Sequence, residues 1–286
     1  MALTCKGIGL NRQANNVADT IETINGSVIQ HGCHNDRVYL MRLNPNDVAG
    51  TLAAVEELAR NRDYGKILAR IPQDAWPAFK TAGYLKEAVI PGFSRGRKDG
   101  YFVARYFSSS RQALPPPETM GLVQSIIDEK PPVTRTGAAG TPCQLIKCGS
   151  AEAAAMGTFY RRVFESYPFP IIDPGYLEQA MDGDVLYYAA QADGRIVALA
   201  AAEVDRENAA VEMTDFATLT AWRKQGLADT LLRRMENETR KLKIKTAYTI
   251  ARAVSPGINR LFKNNGYQYA GLLLNNTHIC GSIQSM

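Results

Sequence analysis

The sequence predicts an α/β chain of the α+β kind, a mixed and largely antiparallel sheet flanked by helices, present in two copies. Three observations predict it. Short strand-like runs alternate with amphipathic helical patterns on both sides of a Pro/Ser/Gly-rich stretch. Asp193-Gly194 sits between two strand-like runs as a tight hairpin signal. The hexapeptide Phe79-Lys80-Thr81-Ala82-Gly83-Tyr84 returns as Phe262-Lys263-Asn264-Asn265-Gly266-Tyr267. Each copy follows an Ala-Arg pair, Ala69-Arg70 or Ala251-Arg252, in the order strand, short helix, glycine turn, strand.

The elements follow in order. Residues before about 25 are polar and read as loosely held. Arg37–Leu43 is a strand; Asn46 or Asp47 caps a helix that repeats Val48, Leu52, Val55, Leu58 and Ala59 on one face. Lys66–Ile71 reads as a strand, Asp74–Thr81 as a short helix, and Tyr84–Ile90 and Tyr101–Phe107 as strands. Residues 108–142 hold Ser108–Ser110, Pro115–Pro117, Pro131-Pro132 and Gly137–Gly140, which predicts extended chain with one short helix at Leu122–Ile127. Beyond it come a strand at Gln144–Lys147, a helix from Ala151 to about Phe164, and strands at Val185–Gln191, Arg195–Glu203 and Ala209–Ala217. A long helix at Lys224–Lys241 follows, then a strand at Thr246–Ile250, a helix at Gly257–Asn264, and strands at Gln268–Leu273 and Thr277–Ile283. The expected division is 1–107, a linker at 108–142, and 143–286.

Composition removes several classes. With 286 residues, 45% apolar and 21% charged, the chain can bury two cores, and wholesale disorder is excluded. A net charge of +5 permits an anionic ligand and is too mild to demand nucleic acid. No apolar run reaches the roughly 18 residues that cross a bilayer. Five scattered cysteines read as reduced thiols of a cytoplasmic protein. His31-Gly32-Cys33-His34 with Cys143 and Cys148 matches no usual zinc spacing, so no metal is expected.

The stretch from Val211 to Ala228 carries the chemistry. A strand runs into a turn, Arg223-Lys224-Gln225-Gly226, that opens a helix with small Ala228 near its start. Free amides and the positive dipole end at such a helix start hold phosphate, and small side chains let the anion approach. This Arg-x-x-Gly-x-Ala turn resembles the signature of the GNAT N-acetyltransferase superfamily, and the element order over 143–286 fits that fold. The resemblance implies acetyl-CoA as cosubstrate, its pyrophosphate cradled by amides of Lys224, Gln225, Gly226, Leu227, Ala228 and Asp229 beside Arg223. It implies that backbone groups of Phe216, Ala217 and Thr218 meet the pantetheine and polarise the thioester. It also implies that Phe262 lines the cofactor where other members carry a proton-donating tyrosine; Tyr267, Tyr248 or water then takes the acid role, or the thiolate leaves unassisted. The first half lacks this turn, so it is expected to be a degenerate copy of the fold serving as scaffold or dimer surface.

Amine acetylation needs a neutral nucleophile, and a lysine-like amine with pKa near 10.4 costs about 4–5 kcal/mol to deprotonate at pH 7. Glu212, 11 residues before Arg223, is the preferred base, with Asp215 second. On a regular strand Asp215 faces away from Glu212, although members of the superfamily it resembles often carry a bulge at this point. In the loop after the first helix of this half, Tyr167 and Phe169 can sheathe an aliphatic amine while Glu165 or Asp173 holds an ammonium. Tyr167-Pro168-Phe169-Pro170-Ile171, Met213–Thr218 and Leu274–Gly281 together resemble the β-lysine N-acetyltransferase family. That resemblance implies acetylation of the terminal amine of 3,6-diaminohexanoate to a compatible solute, with Asn275, Asn276 and Arg252 as carboxylate contacts. Lysine, a polyamine or a protein side chain remains an alternative acceptor, and a non-catalytic CoA-binding module an alternative role.

Overall fold

Alternation along Arg37–Arg42 places Val38 and Leu40 on one face of a strand and Arg37, Tyr39 and Met41 on the other. Which face each covers decides the architecture. The computed structural model describes residues 19–130 and 143–286. In the first half, β1 (Thr20–Ile24) and β2 (Ser27–Gly32) form a hairpin over Asn25-Gly26, both at positive φ. Residues 20–24 are therefore an ordered strand rather than loosely held chain. Then come β3 (Arg37–Arg42), α1 (Val48–Asn61), β4 (Lys66–Pro72), α2 (Trp76–Thr81), β5 (Leu85–Ser94) and β6 (Lys98–Tyr106). The strands order as β1-β2-β3-β4-β6-β5, with β3 and β4 parallel. Asp47 caps α1 by accepting from the Gly50 amide. Both helices seal Val38, Leu40, Ile67, Ala69 and Val103 on one face.

The connecting stretch is more structured than its composition predicts. It forms one turn, α3 (Ser109–Gln112), and a helix, α4 (Pro117–Asp128). Just beyond α4, Glu129 pairs with Arg260 at 2.6 Å, and Lys263 donates to the carbonyls of Ile126 and Ile127. Pro131-Pro132 and Gly137–Gly140 lie outside the described residues.

The second half contains β7 (Gln144–Lys147), α5 (Ala153–Val163), α6 (Pro174–Asp182), β8 (Val185–Ala192), β9 (Arg195–Asp205) and β10 (Ala210–Thr218). These are followed by α7 (Leu227–Lys241), β11 (Thr246–Tyr248) and α8 (Pro256–Asn264). Its sheet runs β11-β10-β9-β8-β7. Leu227, Leu231, Leu232 and Met235 of α7 bury one face, with Phe262 of α8; α5 and α6 bury the other.

Two terminal strands depart from expectation. Residues 268–273 join no strand of this sheet. They run beside β5 of the first half, Val89 donating to Ala270 and Leu272 to Glu87. Gly271 permits that approach, since a Cβ there would lie 2.1 Å from the Glu87 carbonyl oxygen. The run Thr277–Ile283 folds back as two short strands, β12 (Thr277–Ile279) and β13 (Ser282–Gln284), over Cys280-Gly281 at positive φ.

The repeat is structural as well as sequential. In both halves an antiparallel pair (β2-β3, β9-β10) continues through a helix (α1, α7) into a parallel partner (β4, β11). Phe79 and Tyr84 pack edge-to-face at 5.0 Å and 75°; Phe262 and Tyr267 do so at 4.9 Å and 72°. Each tyrosine amide donates to its phenylalanine carbonyl at 3.1 Å, across a glycine at positive φ. The face of the first sheet opposite α1 and α2 meets the second half, where Tyr39, Leu68, Ile90, Phe93 and Phe102 pack with Ala210, Tyr248 and Leu273. Cys143, Cys148 and Cys280 are free thiols. Among the described residues no helix is long and apolar enough to cross a membrane, and no group of three His, Cys, Asp or Glu is placed to hold a metal ion.

Candidate active site

The second sheet opens where β10 outruns its neighbour. Strand β11 pairs with β10 only through Ala210↔Thr246, Val211↔Ala247 and Glu212↔Tyr248, while β10 continues to Thr218. Beyond Glu212 no strand among the described residues pairs with that edge, which leaves backbone donors and acceptors free to meet an extended ligand chain. The sequence expectation for Phe216, Ala217 and Thr218 falls on this segment.

Opposite that edge, the β9–β10 register slips between Thr214↔Ala201 and Ala217↔Leu199, so one extra residue bulges on β10. Asp215 occupies the bulge at φ 56. The slip turns Phe216 toward α7 and α8 and Ala217 toward α5. Of the two placements the sequence allowed for Asp215, the bulge sets the one on the Glu212 side, where it accepts from the Tyr167 hydroxyl and from Thr214 at 3.4 Å.

Three carboxylates gather here. Glu203 on β9 is paired in register with Glu212 on β10, and both side chains are largely enclosed. Burial pushes Glu203 well above the usual carboxylate range, and the charges of Glu212 and Asp215 push it further. Burial also raises Glu212, though the Arg70 charge and the neighbouring Tyr248 hydroxyl oppose the rise. Asp215 is raised to about 6 by burial, against the hydrogen bonds of Tyr167 and Thr214. Such carboxyls accept protons near neutral pH, as a general base must.

Sequence reasoning missed the residues that come from the other half. Arg70 on β4 donates to the Tyr248 hydroxyl and lies 4.0 Å from Asp205. Despite burial, the phenols of Tyr248 and Tyr39 and the carboxylates of Glu212 and Asp205 hold its pKa above the ordinary value. Tyr39 on β3 is itself raised to about 12 by burial. The repeated Ala-Arg pair was the available signal for Arg70; nothing local marks Tyr39 or Glu203.

The turn before α7 is bent as a phosphate cradle requires. Lys224 and Gly226 are at φ 63 and 75, Gly226 is the N-cap, and no side chain caps the helix. The helix therefore starts at Leu227 rather than Lys224 and leaves the first-turn amides of Leu227, Ala228 and Asp229 free of capping. Arg223 donates to the Thr218 carbonyl and Gln225 to that of Ala221, bracing the turn. The Asp229 carboxylate is engaged by Arg233 and Asn265. Phe262 is buried edge-to-face against Phe216 at 5.4 Å, so it packs beneath the β10 edge and donates no proton.

The acceptor-loop expectations divide. Tyr167 reaches Asp215, and Phe169 packs beside the α5–α6 core. Glu165 instead lies beside the β12–β13 turn, 3.4 Å from where a Gly281 Cβ would sit. Asn275 donates to the carbonyls of Ser110 and Ala113, and buried Asn276 accepts from Arg37 at 2.7 Å. The Asn275 amide nitrogen and the Asn276 side-chain oxygen thereby tie the C-terminal segment to the first half. Asp173 caps α6.

A forked sheet, an uncapped helix turn beside the fork and enclosed carboxyls at its mouth define a GNAT acetyltransferase, and an Acetyltransferase (GNAT) domain profile matches residues 151–281. The β-lysine N(6)-acetyltransferase of Methanococcus maripaludis is 33% identical over 279 residues, covering 94% of this chain and 97% of that one. The protein of the same name from Methanosarcina mazei is 29% identical over 84% of this chain and 94% of its own length. N-acetyltransferase YodP of Bacillus subtilis is 27% identical over 91% and 94%. The chain belongs to the β-lysine N(6)-acetyltransferase family of GNAT acetyltransferases.

Proposed function

We propose that the chain transfers the acetyl group of acetyl-CoA to the terminal amine of β-lysine, giving Nε-acetyl-β-lysine. The observation that carries the acceptor is the facing pair Glu203 and Glu212, neither of which has an ion-pair partner of its own among the described residues. Like charges opposed on neighbouring strands are unfavourable unless a proton or a cation lies between them. An acceptor with two ammonium groups suits that site. Tyr167 and Phe169 would flank its carbon chain, and Arg252 is left to meet its carboxylate.

The residues present fit acetyl-CoA. The amides of Leu227, Ala228 and Asp229 would hold the pyrophosphate, with the turn from Arg223 to Gly226 around it, and the free edge from Phe216 to Thr218 would take the pantetheine. Bound there, acetyl-CoA supplies the acetyl group as a thioester. Glu212 takes the proton from the attacking amine. Asp215, held by Tyr167 and Thr214, fixes the loop that encloses the amine. Acetylation removes one positive charge from a diamino acid and leaves a net-neutral zwitterion, which suits a cytoplasmic compatible solute.

Thiol release by the purified protein with acetyl-CoA and β-lysine, lysine or spermidine tests the reading. A kcat/KM for β-lysine at least tenfold above the others is expected. Equal or higher values for lysine or spermidine overturn the acceptor, and no turnover with any amine overturns the enzyme.

A further inference from the structure

The usual proton donor of the fold is missing at Phe262, yet a phenol stands at the fork itself. Tyr248 is the last residue of β11 and the register partner of Glu212, so both side chains leave the same face where the strands part. Its hydroxyl accepts from Arg70 and lies close enough to Glu212 to lower that carboxyl's pKa. Phe93 and Phe102 flank the ring at 6.2 and 6.3 Å. The charged and titratable groups around it are Arg70 and Tyr39 from the first half, Glu203 and Glu212 from the second, and Asp205 through Arg70. The competing phenol, Tyr267, packs edge-to-face on Phe262 among the apolar residues between the sheet and α7, on the face of the sheet opposite Glu212.

We propose that Tyr248 is the proton donor to the leaving thiolate, that Glu212 recharges it, and that Arg70 of the degenerate half is the positioning residue that holds its hydroxyl. This rests on the acetyltransferase reading above. The amine nitrogen attacks the thioester carbonyl and its proton passes to the Glu212 carboxylate. As the carbon–sulfur bond breaks, the Tyr248 O–H proton goes to sulfur and the Glu212 proton moves onto the phenolic oxygen. Amide and free thiol result, both side chains return to their starting states, and no other reactant is needed. Arg70 stabilises negative charge that builds on the phenol during the transfer and keeps the hydroxyl pointed between donor and acceptor.

The test pairs kinetics with a readout on the free protein. Tyr248→Phe keeps the ring packing and removes the relay; kcat is expected to fall 30-fold or more, with KM for acetyl-CoA within threefold. Arg70→Lys should recover most of the activity that Arg70→Ala loses. In protein labelled with 3-fluorotyrosine, the 19F signal absent from Tyr248→Phe reports this ring, and its chemical shift at pH 7 should move in Arg70→Ala and largely return in Arg70→Lys. If wild-type turns over β-lysine but Tyr248→Phe keeps kcat within threefold, the relay is wrong and the acetyltransferase reading stands. An unmoved 19F chemical shift in Arg70→Ala, or activity that Arg70→Lys does not recover, removes Arg70 from its role. Inactive wild-type protein refutes the parent reading instead.

Discussion

The enclosed carboxyls make the stability of the free protein depend on pH in an unusual direction. A carboxyl whose pKa is raised by folding keeps its proton in the native state where the unfolded chain has lost it, so stability falls as pH rises through that interval. Asp215 is raised to about 6, and Glu203 and Glu212 are also raised by burial. The cluster thus retains at least one proton between pH 5 and 7, where an unfolded glutamate near 4.3 is ionised. One retained proton over two pH units amounts to about 3 kcal/mol lost. For a chain of this length that is a Tm lower by roughly 6 °C or more at pH 7 than at pH 5. Glu203→Gln places a neutral group opposite Glu212, and should raise Tm at pH 7.5 and flatten the profile. Thermal melts by circular dichroism in matched ionic strength across pH 5 to 8 measure both, and saturating β-lysine should reverse the trend by supplying the missing cation. A Tm that is level or rising from pH 5 to 7.5, together with no gain in Glu203→Gln, would refute the enclosed like-charge pair.

Glu212→Gln should lower kcat by about 10²–10⁴ with KM for acetyl-CoA little changed, read by thiol release under saturating substrates. Gly226→Val forces a β-branched residue to φ 75, at about 1–3 kcal/mol of strain in the turn, and should raise the acetyl-CoA dissociation constant roughly tenfold or more by calorimetry. Asn276→Ala removes the side-chain acceptor of the buried Arg37 guanidinium and should cost about 1.5–3 kcal/mol in urea unfolding without changing KM for β-lysine. A changed KM there would place Asn276 at the acceptor site.

Local patterns reported what local forces decide. The hexapeptides at Phe79 and Phe262 announced two equivalent helix–glycine–strand corners because edge-to-face packing and a positive-φ glycine are set within six residues. Arg223, Gly226 and Ala228 marked the turn for the same reason. Alternation alone left the face of Asp215 open, because it assumes an unbroken ladder and a bulge is decided by the partner strand β9. Residues 268–284 were strand-like in composition, but composition does not say which sheet edge a strand joins. They crossed to β5, which tied Asn275 and Asn276 to the first half. Arg70 and Tyr39 were illegible as site residues because their relevance arises only when the second half packs against the first.

That packing bears on why a copy without the phosphate turn persists. With helices on one face only, the sheet of β1 to β6 presents its other face to the second half, and strand alternation puts Arg37, Lys66 and Arg70 there. Each buried or half-buried cation fastens a different part of the second half: Arg37 holds Asn276, Lys66 donates to the Leu274 carbonyl at 2.7 Å, and Arg70 reaches Tyr248. Of the three, Arg70 lies against the carboxyl cluster, near Glu212 and 4.0 Å from Asp205, whereas Lys66 is ion-paired with Glu87 of its own half at 2.9 Å. A pure scaffold could meet this surface with apolar residues at no cost in desolvation, and buried cations are expensive to keep. Their placement argues for two tasks in the first half: Arg37 and Lys66 fasten the C-terminal segment, and Arg70 alone reaches across to the Tyr248 hydroxyl and the carboxyls beside it.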